Sequence, residues 1–541
     1  MRQPELRKRF QAKLANGALL LLTAGPLWAQ TANPPPFTDY PSYVAWMHKN
    51  HKAPFNASGA VTTQGGAQAL QAKAAQAAAA TATAARHVYQ NVQVNQDRNP
   101  WPKAGIASAV DPTTANNWVV MSNDFRVNQN RVFDHVSTTH GKTWTDDLMV
   151  GGADPNIGSL PLSFQSNPAI SFDDAGNSSL SALGLNVIVD FNNNYLNLDS
   201  EVDQVKGFSH GAYSDVFPTV IDSQSCSGML VGPFVCNGAL NQPQNSTDAN
   251  SGSPNAGTNY VYYTYFCNLL SGNCTDGTAS IPSLGSAVLE SHSAGLGEPY
   301  SAPALVSGSQ TNAGFPYMVI DPSGTPHIFF DDYTNNSSTI NMWESTLSGG
   351  VWTVSKNPVA TFVYNGLNNA NWAFTDSGAA APGCAIHGYT AYCAFSADQV
   401  AGGNLESTPS VYLATVNVTA GASRVVRVNN DHFNNQKMHF FAWATATPAD
   451  AVYVGWYDDR NDPANTNVQY FVAKSFDGGR TFPIQQAVND VPFNPCTGFP
   501  GCGYFGDYNQ LASGPDGVVH AAWSDTRDGR SMQIWSQTVP F

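Results

Sequence analysis

A chain of 541 residues carrying a formal net charge of −15, with only 12% charged side chains, lacks the clustered Lys and Arg of a phosphate-tracking surface. It is equally unsuited to a polybasic membrane patch. The 46 Gly, 34 Pro and 11% aromatics suit many short strands joined by polar turns rather than a helical bundle.

Taken in chain order, residues 1–29 have the form of a signal peptide. Arg2, Arg7, Lys8, Arg9 and Lys13 make a basic start, and Leu14 to Trp28 is an apolar run too short to span a bilayer. Leu27-Trp28-Ala29 before Gln30 supplies a cleavage site. The mature chain is therefore expected to be secreted or periplasmic, with no later transmembrane segment. Residues 30–86 form an Ala-, Gln- and Pro-rich leader or linker in which no chemistry is visible.

From residue 87 to 541 the sequence repeats a pattern. A short apolar run is followed by a turn, a second run ending in Asp, a polar loop, and a third run ending in Ser or Thr. Clear copies run from Trp118 to Thr138, His327 to Thr346, Val452 to Ser475 and Val519 to Gln537. Weaker ones begin near Asn167, Asn259 and Cys384. The runs are rich in β-branched and aromatic residues and read as half-buried strands. About seven such units, with six as the alternative, make an all-β propeller of four-stranded blades. His87 to Val94 can provide the strand missing from the last unit, which would leave no open edge.

The eight cysteines fall into four local pairs: Cys226 with Cys236, Cys267 with Cys274, Cys384 with Cys393, and Cys496 with Cys502. In an exported chain these read as disulfides clamping loops. Metal binding is the rival, but there is no CxxC pair, and His387 is the one histidine at ligand spacing, near Cys384.

Ser475-Phe476-Asp477-Gly478-Gly479-Arg480-Thr481-Phe482 fits the pattern Ser-x-Asp-x-Gly-x-x-aromatic. Ser137 to Trp144 matches with Thr139 in place of Asp, and Ser345 to Trp352 keeps Ser, Gly and Trp. Such a stretch makes a tight hairpin: Asp or Ser binds local amides, Gly supplies positive φ, and the aromatic packs beneath. With these motifs at one place in a repeated strand pattern, the chain resembles the sialidase-like, Asp-box (BNR) propellers of exported bacterial proteins over its mature length.

The resemblance implies a glycan-active protein of the sialidase superfamily, a glycoside hydrolase with its site on the face opposite the Asp-boxes. That face would carry Asp124, Arg126, Asp459, Arg460 and Arg527 from loops after the second strands, with Lys437 and His439 from inner-strand starts. By analogy the arginines would clamp a substrate carboxylate. Tyr508 would stand as nucleophile, with Asp507 and Asp525 as the acidic groups. Departures are visible: Trp101-Pro102-Lys103-Ala104 stands where the family has Phe-Arg-Ile-Pro, and Glu is scarce. A repeated Asp-x-Arg can equally be an ion pair holding blades together, His439 a core histidine, and Tyr508 an axial packing residue. A non-catalytic propeller binding carbohydrate or protein at a cell surface thus stays beside the hydrolase. No cofactor is expected. A structural Ca2+ at Asp458 to Asp462 would have the charge it needs but not the Gly and bidentate Glu of a dedicated loop. Carbohydrate is the expected partner, nucleic acid is not, and a monomer is expected.

Overall fold

The computed structural model describes residues 91–541, apart from 98–99, 127–129, 150–163, 191–194, 210–218, 230–233, 237, 268–271, 277–278, 284, 334–338, 368, 373–381, 500–501 and 503. The signal peptide and the leader expected at 1–86 lie outside the described residues, as do the side chains of Cys226 and Cys236.

Seven antiparallel sheets form a seven-bladed propeller. Blade 1 runs outward from Lys103–Val110 through Trp118–Asp124 and Arg131–Ser137 to Thr145–Leu148. The inner strands of blades 2 to 7 are Phe164–Phe172, Gly238–Thr247, Ala313–Ile320, Gly383–His387, His439–Ala446 and Gln510–Ser513. Each inner strand touches those of its two neighbours, and Gln510–Ser513 returns beside Lys103–Val110 to close the ring.

Closure follows the expected route. Val92–Gln93 pairs with Gln533–Thr538 as the fourth strand of blade 7, matching Val92 to Ser536 and Gln93 to Trp535. Val94 then donates its N–H to Ile534 at 2.9 Å. A sheet edge that would otherwise be open is thereby covered.

The second strands are buried over their whole length in blades 1, 4, 6 and 7, so the expected half-buried pattern is corrected. Alternation here sorts side chains between two neighbouring blades, not between core and water. Val119 and Met121 pack with Ile170, Phe172 and Leu180 of blade 2. Trp118 and Val120, on the other face of the same strand, pack with Ala522 and Ile534 of blade 7. Each aliphatic side chain so buried contributes roughly 1.5–3 kcal/mol, which is why both faces must be apolar.

Two boundaries differ from the expectation. Blade 3 opens at Gly238, not near Asn259, which begins its second strand, Asn259–Cys267. In blade 2 a fifth strand, Phe234–Cys236, is added outside Thr219–Met229, with the Cys236 and Cys226 backbones directly opposed. Three disulfides are present among the described side chains: Cys267–Cys274, Cys384–Cys393 and Cys496–Cys502. The first ties down the inserted hairpin Asn273–Asp276 and Ala279–Pro282. The second joins opposed positions of the two innermost strands of blade 5. No helix among the described residues is long and apolar enough to cross a membrane.

Candidate functional site

Hairpins linking third to fourth strands lie on one face of the ring, and loops linking second to third strands lie on the other, because neighbouring strands are antiparallel. In the blade 6 hairpin the Ser475 hydroxyl accepts from Gly479 N–H at 2.9 Å, and Asp477 accepts from Thr481 N–H at 2.9 Å and Arg480 N–H at 3.0 Å. Blade 1 repeats the scheme: Ser137 accepts from Gly141 N–H, and Thr139 Oγ1 takes the place of the carboxylate by accepting from Thr143 N–H at 2.9 Å. The Ser345 to Trp352 stretch does not. It closes as a two-residue Gly349-Gly350 turn, both at positive φ, and the Ser345 hydroxyl donates to the Val306 carbonyl instead. Only Gly349 and Gly350 separate its strands, against seven residues between Ser137 and Thr145 in blade 1 and eight between Ser475 and Ile484 in blade 6, so the turn-capping geometry cannot form.

On the opposite face the repeated Asp-x-Arg builds a clamp within each of blades 1, 6 and 7. Arg527 donates its backbone N–H to Asp525 Oδ1 at 2.8 Å, and its Nε and Nη2 to Oδ2 at 2.9 and 2.6 Å. The indole of Trp523 donates to that same oxygen at 3.0 Å. The guanidinium lies 4.0 Å over the Trp535 ring and also bonds Asp490. Arg460 grips Asp458 in the same way, with Trp456 donating to the carboxylate at 2.7 Å and Phe471 under the guanidinium. Arg126 grips Asp124 at 2.7 Å, stacks on Phe133, and bonds Asp146 at 2.5 Å. Burial works against charge on Arg126, but Asp124 and Asp146 outweigh it and its pKa is raised.

The three arginines are therefore not brought together. Each points outward along its own blade, over a third-strand aromatic, and is satisfied by its own carboxylates. Asp124 and Asp525 are fully buried in these clamps. Burial raises the pKa of Asp525 despite the opposing pull of Arg527.

The remaining expected residues divide similarly. His439 is 1% exposed; its Nδ1 faces the Pro409 carbonyl at 2.9 Å, and its Nε2 faces Asp431 at 3.1 Å and Asp458 at 3.5 Å. Burial disfavours the imidazolium, yet Asp458 and Asp431 outweigh it and the ring's pKa is raised. Lys437 donates to the Asp462 carbonyl at 2.6 Å, fixing a loop. Asp459 is buried, accepts Met438 N–H at 2.8 Å, and is pushed up to about 7, chiefly by burial. Tyr508 is buried and its phenol is raised by burial and by Asp507, the reverse of what a nucleophile needs. Asp507 accepts instead from the Tyr504 hydroxyl at 2.8 Å.

What sequence reasoning missed lies at the axis. In blades 1, 2, 3, 4 and 6 the inner strand carries a one-residue bulge near its start. Each bulge holds a left-handed residue: Gly105, Asn167, Gln242, Phe315 and Phe441. Four of these five are not glycine, so the conformation is strained and is held by its surroundings. Amides lace the bulges together across blades. Asn123 Oδ1 accepts from Asn167 N–H at 3.0 Å, Asn167 Nδ2 donates to Asn241 Oδ1 at 2.9 Å, and Gln242 Oε1 accepts from Phe315 N–H at 3.2 Å. Ile106 N–H meets the Tyr508 carbonyl at 3.1 Å, continuing the lacing into blade 7. A signal existed in the sequence: Asn167-Pro168, Gln242-Pro243 and Phe315-Pro316 repeat an x-Pro pair at one register.

Among the described residues no group of three or more His, Cys, Asp or Glu is arranged to hold a metal ion. In the Asp458 to Asp462 run, Asp458 is held by Trp456 and Arg460, and Asp462 caps the amides of Ala464, Thr466 and Asn467.

With this geometry established, the molecule can be set beside known proteins. No family model matches the chain, and no curated protein does. Solved structures resemble it in fold. A Hadza microbial sialidase, Hz136, is 12% identical with a TM-score of 0.39, covering 79% of this chain and 75% of that one. The NanB sialidase of Streptococcus pneumoniae is 12% identical with a TM-score of 0.37, covering 84% and 71%. A Penicillium chrysogenum α-L-arabinanase is 9% identical with a TM-score of 0.41, covering 83% and 97%. At such identities function has to be argued from the side chains themselves.

Proposed function

We propose that this is an exported glycan-binding propeller that engages its ligand at the axial end opposite the box hairpins, with its Asp-x-Arg pairs serving as blade clamps. The observation that carries this reading is the set of left-handed bulges laced by Asn123, Asn167, Asn241 and Gln242. Strained bulges cluster where a fold re-aims groups for function. The Tyr504 hydroxyl, which hydrogen-bonds Asn123, and the partly buried ring of Phe499 beside it offer polar and apolar contacts of the kind a sugar's hydroxyl and C–H groups take. A carboxylate-clamping arginine triad is unsupported, because each guanidinium has its own anion. The disulfides and the basic-apolar start favour export.

The test is a screen of the mature protein against neutral and acidic oligosaccharides, with chromogenic glycosides, sialosides included, run in parallel. Asn167→Gly keeps the left-handed backbone while removing the amide, and Asn241→Ala removes its partner. Both should weaken binding at least tenfold while the melting temperature changes little. Turnover of a sialoside that is lost in Arg126→Ala, Arg460→Ala and Arg527→Ala, with the fold intact, would overturn the proposal.

One observation favours a second reading, glycoside hydrolysis. Asp459 has its pKa at about 7, where a general acid works best. Loss of turnover in Asp459→Asn, with glycan binding retained, would identify that chemistry.

A further inference from the structure

The seam between blades 2 and 3 collects oxygen atoms from four separate strands. Asp222 lies on Thr219–Met229, the fourth strand of blade 2, and is paired with Val202, so both face blade 3. Tyr263 and Tyr265, on the second strand of blade 3, pack with Val202 from the other side. Ser291, on the third strand, is paired with Val261 and shares its face. Asp276 comes from the inserted hairpin, where its pairing with Ala279 and its spacing from Cys274 turn it toward the same cluster. The Cys267–Cys274 disulfide holds that hairpin in place.

Burial, with Asp222 and Asp276 beside them, raises the phenols of Tyr263 and Tyr265 above their ordinary range. No lysine or arginine is among the groups that act on Tyr265. Tyr263 and Ser291 are both 0% exposed, and Asp222 and Ser291 stand beside the Tyr263 hydroxyl. Yet neither Tyr263 Oη nor Ser291 Oγ completes a hydrogen bond among the described residues. Asp222 Oδ2 is likewise buried without a donor, while its Oδ1 takes Gln224 Nε2 at 3.4 Å. Buried oxygens left this way are costly, and facing carboxylates more so, unless a cation lies between them. Oxygens that converge without bonding one another are spaced as ligands around an ion. At about 2.4 Å from Ca2+, adjacent ligands stand about 3.4 Å apart, beyond the usual O–H···O length of about 2.7 Å.

We propose that this seam is a calcium site, with the Asp222 and Asp276 carboxylates and the Ser291 and Tyr263 hydroxyls as its protein ligands. All four donors are hard oxygens, and the two carboxylates match the charge of a divalent cation. Water completes the coordination shell that Ca2+ takes. The ion ties the disulfide-anchored insertion of blade 3 to the outer part of blade 2, elements that belong to separate sheets. The site does not depend on the axial reading, since it shares no residue with it.

The probe is Ca2+ itself, titrated calorimetrically into the mature protein after dialysis against EDTA, with thermal unfolding followed in EDTA and in about 1 mM Ca2+. Ca2+ binds and raises the melting temperature by about 3 °C or more, and Mg2+ at the same concentration does less. Asp222→Asn and Asp276→Asn each weaken Ca2+ at least tenfold, and Ser291→Ala weakens it about threefold. In EDTA, Asp222→Asn melts no lower than the parent, because one of two facing charges is gone; that separates a lost ligand from a damaged fold. Asp462→Asn in blade 6 leaves the calcium response in place. Absence of a calcium-dependent shift in the parent, or a shift that survives in Asp222→Asn, would overturn the proposal. Loss of the shift in Asp462→Asn but not in Asp222→Asn would assign the ion to the Asp458 to Asp462 run instead.

Discussion

Asp331 in blade 4 holds the register position that Asn123 holds in blade 1, the last but one of a seven-residue second strand. From that position Asn123 accepts an N–H from the inner strand of the next blade, and Tyr457 of blade 6 donates to Asn509 of blade 7 at 2.7 Å. Ser524 of blade 7 likewise donates to the Lys103 carbonyl of blade 1 at 3.3 Å. Asp331 is fully buried, and neither carboxylate oxygen has a hydrogen-bond partner among the described residues. Burial, with Asp332 beside it, raises its pKa well above the ordinary value of 3.8.

Asp331 therefore keeps its proton in the folded protein to a higher pH than an ordinary carboxyl does. Its contribution to stability is whole below pH of about 4, where the unfolded chain is also protonated, and is lost as pH rises toward the folded value. Asp331→Asn, which keeps the shape without the charge, should be no less stable than the parent at acidic pH and more stable at pH 8. Urea unfolding at the two pH values checks this; equal stability of parent and variant at pH 8 would contradict it.

Asp459 gives a bounded window. Its pKa rises from 3.8 to about 7 on folding, so its contribution falls between pH 4 and 7 and is level above that. At about 1.4 kcal/mol per pKa unit the loss is at most about 4 kcal/mol. Asp459→Asn should remove that slope from the stability profile. The Asn carbonyl can still accept the Met438 N–H, so the loop geometry should persist.

Arg527→Ala should cost about 3–5 kcal/mol, the scale of breaking a buried ion pair from one side. Among the described residues, its partner Asp525 is left with the Trp523 indole as its side-chain donor. Arg527→Lys should recover only part, because an ammonium cannot reproduce the forked contact or the stacking on Trp535. Thermal unfolding measures both. Replacing Asp525 and Arg527 together should cost less than the sum of the single changes.

In the box hairpins, Thr139→Asp should stabilise blade 1 by about 0.5–1 kcal/mol by giving the turn the carboxylate that blade 6 has in Asp477. Gly479→Ala should do the opposite. Its φ is +72°, and a Cβ there would stand 2.6 Å from Leu413 Cδ2 of blade 5. Chemical denaturation of both variants tests the pair.

The ring architecture was legible because repetition survives divergence: Asp at the end of the second strand and Ser at the end of the third recur at fixed spacing. The boundary of blade 3 was not, since Gly238 to Thr247 reads as a polar Asn- and Gln-rich loop. Those amides are strand residues whose side chains bond neighbouring blades, so apolar periodicity is absent where polar lacing replaces it. Asp-x-Arg was visible as a motif, but not its direction. Only the positions of Phe133, Phe471 and Trp535 show that the guanidinium groups turn outward. The pairing of Tyr412 with Glu406 at 3.2 Å was also unreadable, because it depends on a turn between adjacent strands of one blade.

Asn91 bonds Val488 and Asp490 of blade 6 as well as Arg527 and Gln537 of blade 7, so a single amide just ahead of Val92–Gln93 stitches the seam. Any maturation protease that trims the upstream sequence must halt before this residue, or the product loses its seal. During synthesis, moreover, the polypeptide has to keep this early segment waiting until the last strands emerge. Assembly of the finished ring is thereby deferred until translation has reached Gln533–Thr538.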